Sequence, residues 1–193
     1  MKRKILCTLG PSSLKKGIIK RLEDLGVELF RLNLSHTKIE SLSKQIDFIK
    51  THTKVPLCLD TEGAQIRTGL FQRGEVDLEE SKTVSISKNI ISGNKDNFNL
   101  YPEDIIEDIN VGDILSIDFN SALLHVIKKN RSSLKLRVIT GGKVGSNKAV
   151  SINKNVYLNS LTKKDMLAIK IGLKNNIKHY ALSFANNEDD VKK

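Results

Sequence analysis

The chain has 193 residues, with 32 Lys and Arg against 22 Asp and Glu, a formal net charge of +10, and 39% hydrophobic residues. That apolar content excludes a disordered chain, which would lack the surface to offset its ordering entropy. No apolar run approaches the roughly 18 residues of a membrane span. Behind the basic start Met1-Lys2-Arg3-Lys4 the apolar stretch runs only from Ile5 to Leu9. A secretory segment needs about 7–15 apolar residues, which argues against a signal peptide. Lys4 to Leu9 then reads as a buried strand, and Gly10-Pro11-Ser12-Ser13 as a turn carrying a helix N-cap. Leu14, Ile18, Ile19, Leu22 and Leu25 recur at helical spacing, and Gly26 closes that helix. Val27 to Leu34 predicts a second strand, Ile39, Leu42, Ile46 and Ile49 a second helix, and Val55 to Leu59 a third strand ending in Asp60-Thr61. Strands alternating with helices over short connections predict a parallel sheet.

The rhythm breaks at Gly69. From Leu70 to about Val156 the apolar pattern shortens to period two. Strands are predicted at 83–87, 113–117 and 135–138, with turns at Gly74, Gly93-Asn94, Gly112 and Gly141-Gly142. Helical spacing returns with Met166, Leu167, Ile169, Ile171 and Leu173 behind a capping pair, Thr162 and Asp165. Tyr180 to Phe184 is a fourth apolar run, and Asn186-Asn187-Glu188-Asp189-Asp190 opens another helix. The chain thus divides into 1–69, an inserted β domain over 70–156, and a return over 157–193.

The charge is spread in pairs such as Lys15-Lys16 and Lys128-Lys129, and Trp is absent. With few stacking platforms this argues against nucleic acid and for phosphorylated small molecules. Cys7 and Cys58 lie in apolar runs with no partner at metal-ligand spacing, which predicts buried free thiols in a reducing cytoplasm. The informative polar residues fall at strand ends: Arg31, Asn33, Ser35 and His36 after the second strand, Asp60, Thr61 and Arg67 after the third. In parallel β/α folds that edge is where ligands bind. One carboxylate with neutral oxygens suits a hard cation of low charge, and two arginines supply bidentate donors for phosphate. Together they are parts for phosphoryl transfer, which is mainly positioning and charge stabilisation. Asn33 and Ser35 serve equally as helix caps, and Asp60 as a structural partner of Arg31.

Three ordered motifs, 4–13 (KILCTLGPSS), 31–36 (RLNLSH) and 59–69 (LDTEGAQIRTG), closely resemble pyruvate kinase, with its first three barrel strands and active-site loops. The 70–156 segment resembles that family's inserted lid, with VGDIL at 111–115 and Gly141-Gly142. LTKKDM at 161–166 and ALSF at 181–184 resemble its third helix and fourth strand. The resemblance implies an α/β fold: a partial (β/α)8 TIM-type barrel of about four strands with an inserted small β-barrel domain. It implies phosphoryl transfer between phosphoenolpyruvate and ADP in glycolysis, with K+, Mg2+ and ADP or ATP. Arg31 would contact the phosphoenolpyruvate phosphate. Asn33, Ser35, Asp60 and the Thr61 carbonyl would hold potassium, and His36, Arg67 and Lys148 would lie along the nucleotide phosphates with Asn33 shared.

The departures are Glu62, Ala64 and Gln65 where the family usually has Lys, Pro and Glu, the last a carboxylate associated with potassium dependence. Phe119-Asn120 replaces the lid's Asp-Gly, and Ser151-Ile152-Asn153-Lys154 replaces Asn-Leu-Pro-Gly. The family's Lys-Ile-Glu segment, with its phosphoryl-stabilising lysine and a magnesium carboxylate, would follow residue 193. A whole barrel needs about 250 residues, so four strands predict an open edge and an uncovered apolar inner face. The expectations are no catalysis by this chain alone, with a homo-oligomer or a completing partner chain. The alternative is a non-catalytic phosphate- and cation-binding or regulatory paralogue.

Overall fold

A computed structural model describes residues 3–192. In chain order the elements are β1 (Ile5–Leu9), α1 (Lys16–Asp24), β2 (Val27–Asn33), a 3-10 turn (Leu34–His36), α2 (Ile39–His52) and β3 (Leu57–Asp60). Then come β4 (Ile66–Thr68), β5 (Glu75–Leu78), β6 (Thr83–Ser87), β7 (Asn97–Tyr101), α3 (Ile105–Asp108), β8 (Ile114–Ile117), β9 (Ala122–Lys129), β10 (Ser133–Thr140), β11 (Gly142–Gly145) and β12 (Ala149–Ile152). The last are α4 (Lys163–Lys174), β13 (His179–Ala181) and α5 (Glu188–Lys192). They group into two compact units, Met1–Ala64 with Leu158–Lys193, and Gln65–Tyr157.

The first unit is built on a four-stranded parallel sheet in the order β1-β2-β3-β13. Side chains alternate across a strand, so Leu9, Phe30, Leu32, Leu57 and Leu59 share one face. Against it pack Ile19 of α1, Leu42, Ile46 and Ile49 of α2, and Ala168 of α4. Gly172 lets α4 come this close: a Cβ there would stand 2.5 Å from the Tyr180 hydroxyl and 2.8 Å from Leu59. The same alternation sends Thr8, Arg31, Asn33, Cys58 and Asp60 to the opposite face. That face is polar at the C-terminal strand ends and apolar farther back, where Leu6 of β1 is 51% exposed.

The helix starts differ from each other for a reason visible in the hydrogen bonds. Thr162 and Asp165 form the predicted capping box at α4. At α1 the predicted serine cap is not the cap. The Ser13 hydroxyl accepts from the Gly10 amide (2.9 Å) and so belongs to the turn, while Lys15 occupies the N-cap with no side-chain bond.

The second unit is a closed barrel of seven strands in the order β10-β6-β7-β4-β12-β8-β9, with β11 and β5 as a separate ribbon. Its interior is filled by alternating residues, among them Val84, Ile86, Phe98, Leu100, Leu115, Leu124, Leu134 and Leu136. Strand β4 belongs to this barrel, pairing with β7 and β12.

Candidate functional site

Parallel register places Asn33 opposite Asp60, and Asp60 opposite Ala181, in a row at the C-terminal edge of the sheet. Two residues back on the same face, Arg31 lies beside Thr8. The guanidinium grips Asp60 through both Nε (2.9 Å to Oδ2) and Nη2, and its Nη1 donates to the Thr8 hydroxyl at 2.8 Å. The other Asp60 oxygen accepts from the Ser183 hydroxyl at 2.8 Å. Asp60 is thus a buried carboxylate with both oxygens engaged, whereas the Arg31 side chain keeps 30% of its surface in water. Asn33 caps the 3-10 turn, its side-chain oxygen accepting from the Ser35 amide at 2.9 Å. His36 is exposed.

The loop after β3 is fixed from three sides. The Thr61 amide donates to the Ala181 carbonyl (3.0 Å), and its hydroxyl oxygen accepts from the Ser183 amide (3.0 Å). The next two amides, Glu62 and Gly63, donate to Asp165 at 2.8 and 3.2 Å. Gly63 has φ +69°, and a Cβ there would stand 1.9 Å from the Ser183 carbonyl oxygen, so only glycine fits. Lys164 spans the two loops, its ammonium bonded to the Leu34 carbonyl (2.5 Å) and the Glu62 carboxylate (2.8 Å).

In the second unit, Arg67 on β4 faces Ala149 on β12 and donates to the Asn147 carbonyl at 3.2 Å. The Lys148 carbonyl accepts from the Thr68 amide and the Lys148 amide donates to the Thr68 hydroxyl, while its ammonium lies 3.0 Å from Asp118. The fold therefore brings the predicted residues together as two sets. Arg31, Asn33, Ser35, Asp60 and Thr61, with exposed His36 closing the 3-10 turn, lie at the edge of the sheet. Arg67 and Lys148 lie in the barrel where β4 runs beside β12.

The family described as pyruvate kinase, barrel domain, matches residues 1–193. The chain belongs to the pyruvate kinase family. It is 33% identical over 198 residues to a pyruvate kinase of Staphylococcus epidermidis and 32% identical over the same length to one of Staphylococcus aureus. Each match takes in 98% of this chain and 34% of the relative, so the chain spans about a third of the length of these curated relatives. No described helix is long and apolar enough to cross a membrane.

Sequence reasoning missed four residues that shape this pyruvate-kinase-like edge: Thr8, Ser183, Lys164 and the positioning role of Asp165. Thr8 lies inside a motif that reads as strand, and Ser183 inside one that reads as an apolar run. Asp165 is legible as a cap, but its reach to the β3 loop depends on tertiary packing. Glu62, which reverses a charge relative to the family, is neutralised locally by Lys164.

Both cysteines are free. Cys58, 5% exposed beside the Arg31–Asp60 pair, has its thiol pushed up chiefly by burial and further by the Asp60 carboxylate, with Arg31 opposing. A raised value means less thiolate at neutral pH, and the thiolate is what reacts. A disulfide reagent at neutral pH is expected to label the partly buried Cys7 before Cys58, which reacts only after unfolding. Equal rates for the two in the folded chain would contradict this.

Proposed function

We propose that the sheet unit binds the phosphate of phosphoenolpyruvate on Arg31 beside a potassium ion, as part of phosphoryl transfer to ADP. The barrel unit contributes Arg67 and Lys148 to the nucleotide phosphates. Within this reading the parallel sheet is the first part of a (β/α)8 barrel. The single observation that carries it is the row Asn33–Asp60 at the C-terminal strand edge, with Arg31 on the same face and its guanidinium partly open to water.

The donor set suits a monovalent cation. Asn33 and Ser35 offer neutral side-chain oxygens, Thr61 a carbonyl, and Asp60 the one carboxylate. The Asn33 oxygen accepts from the Ser35 amide, and a carbonyl-type oxygen has two lone pairs. When bound, potassium supplies positive charge beside the phosphate. Arg31 holds and orients the phosphate by charge-assisted bonds, and Asp60 and Thr8 hold Arg31. Among the described residues no group of three or more His, Cys, Asp or Glu side chains is arranged to hold a metal. By the family resemblance the magnesium carboxylate and the phosphoryl-stabilising lysine belong to a Lys-Ile-Glu segment outside these residues, so turnover is not proposed for this chain alone.

Calorimetry with phosphoenolpyruvate in K+ and in tetramethylammonium buffers tests the pocket. Binding is expected in both and tighter in K+, and Arg31→Met is expected to weaken it at least about tenfold, the scale of one charged hydrogen-bonding group. Absence of binding at millimolar ligand by folded protein would remove the proposal. A coupled assay for pyruvate separates the roles: binding without turnover is expected from these 193 residues. Turnover supported by Mg2+ would show that the chain itself supplies the chemistry.

A further inference from the structure

The β8–β9 hairpin turns through three successive non-glycine residues in the left-handed region: Asp118 (φ 49°), Phe119 (57°) and Asn120 (71°). Two-residue hairpin tips ordinarily take Asn-Gly or Asp-Gly, because glycine accepts that backbone without cost. An aromatic residue there is strained, and such strain persists only where the surroundings over-determine it. Here they do. The Asp118 amide donates to the Ala149 carbonyl (2.8 Å), and the Ser121 amide to the Asp118 carbonyl (3.2 Å). The Ser116 hydroxyl donates to the Asn120 side-chain oxygen (2.5 Å), and the Ser121 hydroxyl to the Lys143 carbonyl (2.6 Å). On this braced tip Phe119 is 92% exposed, although its hairpin neighbours Ile117 and Ala122 are fully buried.

The ring is not isolated from polar chemistry. Asp118, one Cα step of about 3.8 Å away along the chain, holds the Lys148 ammonium at 3.0 Å. Lys148 follows Asn147, whose carbonyl accepts from Arg67. Along the chain the bare aromatic ring is thus next to the carboxylate that holds one cation, Lys148. The second cation, Arg67, bonds the carbonyl of the residue before Lys148, all within the barrel unit. A ligand with an anionic end and a flat π-face satisfies ring and cations alike. The Lys148–Asp118 pair is partly exposed, with side-chain exposures of 45% and 25%, and so is weak enough to exchange for a phosphate.

We propose that Phe119 is a stacking platform for the nucleobase of a nucleotide whose phosphates meet Lys148 and Arg67. The proposal rests on the nucleotide role of Lys148 and Arg67 given above and adds a base subsite that no phosphate contact supplies. The barrel unit then recognises the nucleotide at both ends, and the strained tip fixes the angle at which the ring meets the base.

The chain contains no tryptophan, so Phe119→Trp places a single reporter at the tip. Calorimetry and tryptophan emission are followed for the whole chain with ADP and with inorganic pyrophosphate, which has the charged end and no base. ADP is expected to bind wild type more tightly than pyrophosphate. Phe119→Ala is expected to weaken ADP at least about fivefold, the low end for stacking one base, while leaving pyrophosphate unchanged. The emission of the introduced indole is expected to be quenched by ADP alone. Wild-type affinity for ADP in Phe119→Ala, or equal quenching by both ligands, overturns the base subsite while leaving the phosphate contacts standing. Failure of wild type to bind either ligand overturns the Lys148 and Arg67 reading and the base subsite with it. A change in sedimentation of Phe119→Ala with ADP binding intact makes the tip a protein contact and likewise overturns the proposal. The ring is exposed, so these variants retain the fold, which thermal unfolding verifies.

Discussion

Replacing Asp165 with alanine is expected to destabilise the sheet unit by about 4 kcal/mol, beyond the roughly 0.5–3 kcal/mol of an ordinary substitution. The side chain is fully buried and its carboxylate collects four donors. They are the Glu62 and Gly63 amides and the amide and hydroxyl of Thr162, at 2.8 to 3.2 Å. Alanine leaves the Thr162 hydroxyl capping the residue-165 amide but removes the reciprocal half of the α4 capping box, so the Thr162 amide loses its acceptor. It also leaves the β3-loop amides without their acceptor, at about 1–3 kcal/mol for each buried group left unmade. Part of that is recovered as water enters, which brings the total to about 4 kcal/mol. Asp165→Asn keeps an acceptor oxygen at the same place and is expected to cost about half as much. Urea unfolding followed by the helical circular dichroism signal measures this in the right unit, because α1, α2, α4 and α5 all lie there. A loss below about 1 kcal/mol for the alanine variant, no more than one ordinary hydrogen bond, would show that the loop is held by other means. The same variant is expected to weaken phosphoenolpyruvate binding, since Thr61 precedes the freed amides.

Where the sequence was legible depended on how local the cause was. The helices and parallel strands of the first unit are written in apolar spacing, and α4 announces its start through Thr162 and Asp165. The capping serine at α1 misleads because Ser13 has a nearer partner in Gly10, and hydroxyls choose between such local bonds without leaving a trace in the pattern. In the second unit, β6, β8 and β10 alternate cleanly, but β7 does not look like a strand. Its Asn99 is fully buried and accepts from the Ile91 amide at 3.2 Å, a polar residue where the pattern calls for an apolar one. Strand β4 is only three residues long and takes its identity from its partners β7 and β12. At the site, Arg31, Asn33 and Asp60 are legible from their position at strand ends. The sequence leaves Arg31 and Asp60 open between ligand and ion pair, and the structure pairs them. Thr8, Ser183 and Lys164 are not legible, since each acts on a residue far from it in the chain.

The second large effect concerns that pairing. Asp60→Ala is expected to cost the sheet unit about 2–3 kcal/mol, somewhat less than a fully buried pair broken from one side. The Arg31 side chain, 30% exposed, recovers part of its hydration, while the Ser183 hydroxyl loses its acceptor. Asp60→Asn separates stability from function. It keeps an oxygen toward Ser183 and removes the negative charge, so its stability cost is expected to be smaller. Without that charge the guanidinium has no internal anion to leave, and phosphoenolpyruvate is expected to bind at least as tightly as to wild type. The cation loses the one carboxylate of its proposed donor set, so the preference for K+ over tetramethylammonium is expected to disappear. Parallel titrations of wild type and Asp60→Asn in the two buffers read both effects. If the variant keeps the full K+ preference, Asp60 serves only to hold Arg31, and the cation is bound elsewhere. If it loses phosphoenolpyruvate binding altogether in both buffers while remaining folded, the carboxylate positions the guanidinium so strictly that an amide cannot replace it, and Arg31 is then a phosphate ligand only when paired.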